Sequence, residues 1–113
     1  MSITTHVLDT SIGRPAAGGG VRLEHAGAGG AWRAVGAGAT DGDGRLRSLV
    51  PAGSDVAAGT YRLTFETAAY FEGRSVESFY PRVVVEFTIA EPGAHCHVPL
   101  LVSPFGYSTY RGS

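Results

Sequence analysis

Apolar and polar residues alternate with period two along most of this chain, and glycine or proline interrupts the alternation roughly every 8–12 residues. Such a pattern leaves room for strands of ordinary length and none for a long helix. Successive strand residues point to opposite faces, so each strand offers one face to a core and one to water. Residues 82–89 show it best, with Val83, Val85, Phe87 and Ile89 on one side and Arg82, Val84, Glu86 and Thr88 on the other. Residues 60–66 set Tyr61, Leu63 and Phe65 against Arg62, Thr64 and Glu66. Residues 3–9, 21–25, 31–39, 45–47, 94–103 and 107–111 read as further strands, the third weakened by its glycines. Turn clusters lie at residues 11–15, 27–30, 40–44 and 91–93, and residues 51–59 form a loop. Only residues 67–72 suit a helical turn, which Gly73 stops. About eight strands with one short helix predict an all-β, two-sheet sandwich. Pro99 conflicts with its strand pattern and should sit at an edge or bulge, where its missing N–H is not needed.

At 113 residues the chain has the size of a single domain, residues 1–113, with one core. It is 43% apolar and 17% charged, which excludes a disordered chain, and no apolar run approaches the length of a membrane helix. A net charge of −1 gives no electrostatic case for nucleic acid or a membrane surface. All 9 basic residues are arginine, so Schiff-base chemistry on lysine is excluded. Asn and Gln are absent as well, so a polar site must use His, Arg, Ser, Thr, Tyr, acids or backbone. Cys96 is the only cysteine; it can form no disulfide within the chain, and a cysteine zinc cage lacks ligands. With no signal-peptide pattern at residues 1–6, a cytoplasmic protein is the expectation.

The residues able to do chemistry are few. His95 and His97, two apart in one strand, share a face, and His6 lies mid-strand elsewhere. Three uses remain open for them: a zinc site, acid–base catalysis near neutral pH, or ordinary hydrogen-bonded histidines at the edge of a core. His25 follows Glu24 in an exposed alternation and reads as structural. Arg45, after the Asp-Gly turn, is either a solvated strand-end residue or a guanidinium offering paired N–H groups to a planar acceptor. Cys96 points away from its histidine neighbours and reads as a packed thiol. The tail, Tyr107 to Ser113, carries two tyrosines where most tails fray, then Gly112, which permits close approach, and the Ser113 hydroxyl and terminal carboxylate. No nucleophile elbow, phosphate loop or dinucleotide fingerprint occurs.

Three stretches together resemble one family. Thr5-His6-Val7-Leu8-Asp9-Thr10-Ser11-Ile12-Gly13-Arg14-Pro15-Ala16 resembles the opening of the transthyretin-like proteins, and Asp41-Gly42-Asp43-Gly44-Arg45 their turn-and-arginine segment. The run from His95-Cys96-His97-Val98-Pro99 to Tyr110-Arg111-Gly112-Ser113 is similar to the closing segment of the enzymatic branch, the 5-hydroxyisourate hydrolases. The resemblance implies a transthyretin-like sandwich assembled as a homotetramer, with sites in a channel where dimers meet. It implies opening of the six-membered ring of 5-hydroxyisourate by water, giving 2-oxo-4-hydroxy-4-carboxy-5-ureidoimidazoline in urate breakdown, with no metal or cofactor. Carried over by the match are His6, Arg45, His97 and the terminal Tyr110, Arg111, Gly112 and Ser113. His97 with His6 would handle water, Arg45 would polarise a carbonyl, and the tail, including Ser113, would bond the substrate and close the channel. Hormone-carrying transthyretins, the non-catalytic alternative, share the fold and are expected to lack these residues. A sandwich this small is expected to have no deep pocket of its own, so subunits would build the site jointly.

Overall fold

The computed structural model describes residues 2–113. Nine strands form in chain order: β1 Ile3–Asp9, β2 Arg14–Pro15, β3 Gly20–Ala26, β4 Trp32–Ala39, β5 Arg45–Leu46, β6 Gly59–Phe65, β7 Val83–Ile89, β8 Cys96–Ser103 and β9 Gly106–Thr109, with one helix, α1 Thr67–Glu72, between β6 and β7. One sheet runs β2-β1-β8-β9, with β5 also paired to β1; the other runs β4-β3-β6-β7. The expected all-β two-layer sandwich is what forms, with one strand more than the alternation suggests.

The extra strand is β2. Residues 11–15 read as a turn, yet Pro15 and Arg14 pair with Leu8 and Asp9 once the chain has reversed. Two residues carry no alternation, so no periodicity could reveal them. The tail differs as well: β9 stops at Thr109, and only Gly112 rejoins the sheet, through a single bridge to His97.

Pro99 is neither at a sheet edge nor exposed; it is buried inside β8, between β1 and β9. Alternate residues of a strand aim their N–H and C=O groups to opposite sides. The Cys96 N–H meets Ser2 O and the Val102 C=O meets Thr10 N–H on the β1 side, which leaves Pro99 aimed at β9. Regular pairing there ends at Leu100↔Thr109, so no ladder bond is lost. The Pro99 carbonyl accepts from the Thr109 hydroxyl at 2.7 Å. The physical reason behind the sequence expectation holds, a missing donor placed where none is needed, but the place is a strand interior.

The two sheets close on a core of Ile3, Val7, Leu23, Leu63, Phe65, Phe71, Val83, Val98 and Leu100, all nearly inaccessible to water. Burial of this apolar surface is the main stabilising term, at about 25 cal/mol per Å². β1 runs parallel to β8 from Ile3↔Cys96 to Asp9↔Val102, so Ile3, Thr5 and Val7 face the core beside Val98 and Leu100. The intervening residues Thr4, His6, His97 and Leu101 therefore share the outer face. At the far end of β1, the buried Asp9 carboxylate accepts from the Tyr70 hydroxyl of α1 at 2.9 Å. Burial first, and then this carboxylate, push the Tyr70 phenol up to about 12. The helix thus fixes the strand that carries His6.

Candidate active site

The outer face of the first sheet collects the chemistry-bearing side chains. Arg45 stands directly opposite His6 in the antiparallel β1·β5 pair, about 5 Å away at Cα. His97 stands opposite Thr4 in the parallel β1·β8 pair, one same-face step from His6. An open cleft of about 320 Å³ lies over this face, lined by Thr4, Arg45, Arg47, His95, His97 and Ser113 among others.

Local structure positions each group. Asp41 Oδ1 accepts the backbone N–H groups of Asp43 and Arg45, both at 2.9 Å, which folds the Asp-Gly cluster into a tight turn. These bonds, with the Arg45 contact strongest, hold the Asp41 carboxyl below its ordinary range. Gly44 takes φ +77°, and a Cβ there would lie 2.4 Å from the Val7 carbonyl. Only glycine lets the turn press so close to β1. Leu46 then buries inward, so Arg45 before it projects outward.

His6 donates from Nε2 to the Asp43 carbonyl at 2.8 Å. A carbonyl can only accept, so Nε2 carries the proton and the Nδ1 of a neutral ring is left as an acceptor. His97 Nδ1 is hydrogen-bonded to the Thr4 hydroxyl at 2.8 Å. Burial, then the Arg45 charge, then His6 and His95, lower the His97 pKa below the usual histidine value. The ring is therefore neutral at pH 7 and competent to take a proton.

The tail is fastened to this ring. The Gly112 N–H donates to the His97 carbonyl at 2.8 Å. A Cβ on Gly112 would lie 2.5 Å from His97 Cδ2, closer than any real contact. The close approach that Gly112 permits is thus to a catalytic candidate, and it sets Ser113 on the cleft wall.

The structure brings together most, but not all, of the residues singled out from sequence. Arg45, His97 and Ser113 line the cleft, and His6 adjoins it through its pairing with Arg45. Tyr110 and Arg111 instead line a second, larger cavity of about 560 Å³, so the sandwich does have a pocket of its own. That cavity opens between the sheets where the edge strands β7 and β9 meet, and Val85, Phe87, Ile89 and Val98 make its wall apolar. It is the bigger space, but His6, Arg45 and His97 are not on it. Among the described residues, no three His, Cys, Asp or Glu side chains converge as metal ligands. Cys96 packs against the core, and burial raises its thiol pKa, as a structural thiol requires. His25 lies in the other sheet, stacked on Tyr61 with centroids 4.2 Å apart. Sequence reasoning missed Thr4, Arg47 and Ser2; Thr4 was accessible from its spacing of two to His6, and Arg47 from its spacing of two to Arg45.

Comparison with known proteins identifies the family and the fold. The family described as the HIUase/Transthyretin family matches over residues 3–112. A relative named 5-hydroxyisourate hydrolase from Salmonella dublin is 45% identical over 98% of this chain and 80% of its own length. The solved Klebsiella pneumoniae 5-hydroxyisourate hydrolase superposes with a TM-score of 0.85 at 38% identity, covering 100% of both chains. Transthyretin from Sparus aurata superposes with a TM-score of 0.90 at 30% identity, covering 97% of this chain and 95% of its own.

Proposed function

The chain belongs to the HIUase/Transthyretin family, and from that premise we propose that it opens the six-membered ring of 5-hydroxyisourate with water. The product is 2-oxo-4-hydroxy-4-carboxy-5-ureidoimidazoline, and the reaction is a step of urate breakdown. Backbone likeness does not separate hydrolase from hormone carrier, since the transthyretin superposes slightly better than the hydrolase. Sequence identity and side chains separate them, and the observation that carries the reading is one outer sheet face joining His6, Arg45 and His97, with the tail clamped on His97 by Gly112.

The chemistry follows from those groups. The target is a reactive ring amide, so water needs a base, the developing oxyanion needs a positive partner, and the leaving nitrogen needs a proton. The His97 ring, its pKa lowered, is the proton acceptor, and His6, whose Nε2 is held by the Asp43 carbonyl, presents Nδ1 beside it. Arg45 grips and polarises the carbonyl. The Ser113 hydroxyl bonds the substrate at the cleft wall, whereas Tyr110 and Arg111, expected from sequence to bind it too, line the other cavity. No covalent nucleophile is required, and the half-buried Cys96 thiol, its pKa raised by burial, is unsuited to be one.

The protein works as a homotetramer, with the open cleft closed by a facing subunit at a dimer–dimer interface. The support is that β7 and β9 are unpaired sheet edges on one side of the sandwich, and such edges invite pairing. Its place is the cytoplasm, in keeping with a chain that relies on no disulfide, and its reaction uses neither metal nor cofactor. Ultraviolet decay of freshly made 5-hydroxyisourate, with and without protein, tests the activity. Acceleration that survives EDTA supports the reading, whereas an unchanged decay leaves the carrier in its place. Light scattering after size exclusion tests the assembly, and an active monomer at assay concentration would refute it.

A further inference from the structure

We propose that Arg47 is a second binding residue of the cleft, and that it holds the carboxylate which ring opening creates. The inference rests on the proposed hydrolysis and adds to it a residue that the family resemblance does not supply.

The first observation is placement. Leu46 is buried and anchors β5 to the core, so Arg45 before it and Arg47 after it both turn outward. Both line the cleft that holds His97 and Ser113. The second observation is charge. Among the described residues, no carboxylate comes within 4 Å of either guanidinium, whereas Arg22 and Arg62 on the other sheet, and Arg82 just before β7, each have an acidic partner, and Arg33 bonds His25. Asp41 is near enough to feel both charges, but its oxygen is taken up by backbone N–H groups. The cleft lining contains two arginines and two histidines and no Asp or Glu, and the terminal carboxylate of Ser113 forms no ion pair with either arginine. Two unneutralised guanidiniums side by side repel each other, and a bound anion relieves that repulsion.

The reaction itself generates an anion. Water adds to the ring carbonyl carbon and the carbon–nitrogen bond breaks. The freed nitrogen takes a proton and becomes the end of the ureido group. The carbonyl carbon remains as a carboxylic acid, which gives up its proton at neutral pH. A ring amide without charge thus becomes a carboxylate, and negative charge grows on that carbon's oxygens as the reaction proceeds. One guanidinium at the carbonyl serves the start of this change. Two fit its end, because a carboxylate has two oxygens to be held. Arg45, opposite His6 and half-buried, is at the reacting carbonyl; Arg47, exposed at the rim, takes the second oxygen.

Two measurements test the assignment, and they fail separately. Orotate, a planar ring carboxylate that is not hydrolysed, reads the anion site by calorimetry without any turnover. Orotate should bind the wild type, bind Arg47→Gln about tenfold more weakly, and bind Arg47→Lys with most of the affinity retained. No orotate binding to the wild type, or equal binding to wild type and Arg47→Gln, overturns the proposal. In the ultraviolet assay, Arg47→Gln should lower kcat/KM roughly tenfold and weaken inhibition by accumulated product, with circular dichroism unchanged. Wild-type kcat/KM together with unchanged product inhibition in Arg47→Gln would also overturn it. A wild type that does not hydrolyse 5-hydroxyisourate but does bind orotate through Arg47 would remove the proposed reaction and keep the anion site.

Discussion

The outer faces of the two sheets are built from the same residue type and use it in opposite ways. On the second sheet, Arg22 pairs with Glu66 at 2.7 Å, and Arg62 pairs with Glu24 at 2.7 Å while lying 4.2 Å over the Trp32 ring. On the first sheet, Arg45 and Arg47 face open space beside histidines. Paired surface arginines add solubility and a little stability, under about 1 kcal/mol for each exposed pair. Unpaired ones clustered in a concavity keep their charge available for something that arrives later. The difference teaches that function on a sandwich is read from what is left uncompensated.

Four measurements sharpen or break that contrast. The largest effect should come from the histidines: His97→Ala or His6→Ala should lower turnover on the order of 10²-fold or more, as loss of an acid–base group does, with little change in Tm. Loss of fold in either variant would mean that the first face, too, is structural. Next, Gly112→Ala should cost turnover by roughly 10²-fold or less, because the new methyl group displaces the His97 ring or the tail. Far-ultraviolet circular dichroism should show an intact sandwich, and full activity would mean that the clamp on His97 has no catalytic role. Deleting residues 111–113 should act in the same direction.

The pH profile should show a smaller effect. The pKa of His97 is lowered, so the neutral ring persists below the usual histidine value, and the acid limb of kcat/KM should fall below pH ~6.5. Arg45→Gln removes the second-ranking cause after burial, so in that variant the limb should move up towards the ordinary value. The same lowering has a sign for stability: the unfolded ring binds protons more readily, so this contribution is intact above the ordinary value and is lost as pH falls through the lowered one. A limb that stays put in Arg45→Gln would mean the guanidinium does not act on this ring. The smallest effect belongs to the other face. Glu24→Ala should change stability by about 1 kcal/mol or less and leave turnover unchanged; a large loss of turnover would make the second face part of the site.

Much of this was legible beforehand because strand alternation is a local signal. Val83, Val85, Phe87 and Ile89 could be assigned to one face from seven residues, and they lie on the inner side as expected. The helical turn ended at Gly73 for the same local reason. What stayed hidden depended on pairing across long separations. β2 exists only because Arg14 and Pro15 come back beside β1. Pro99 is tolerated only because β9 stops where it does. The Gly112 contact with His97 and the arrival of Arg47 in the cleft are likewise tertiary facts, although period-two spacing already put Arg47 on the face of Arg45.

The parallel pairing of β1 with β8 has a consequence for how the protein is made. The hydrogen bond between Thr4 and His97 joins residues 93 apart in the chain. Strands of the second sheet can pair earlier, since β3 with β4 and β6 with β7 are antiparallel partners that follow one another along the chain, and β3 meets β6 before β8 is made. β1 can pair early only with the two-residue strands β2 and β5, and must wait for β8, its main strand partner. Contacts of that span are slow to form because a long loop must close first. The cleft is therefore among the last features to assemble, and a chain that stalls before β8 can bury part of its core but presents no site. During that interval β1, rich in β-branched residues, is an exposed edge, and it is the segment from which aggregation of nascent chains should start.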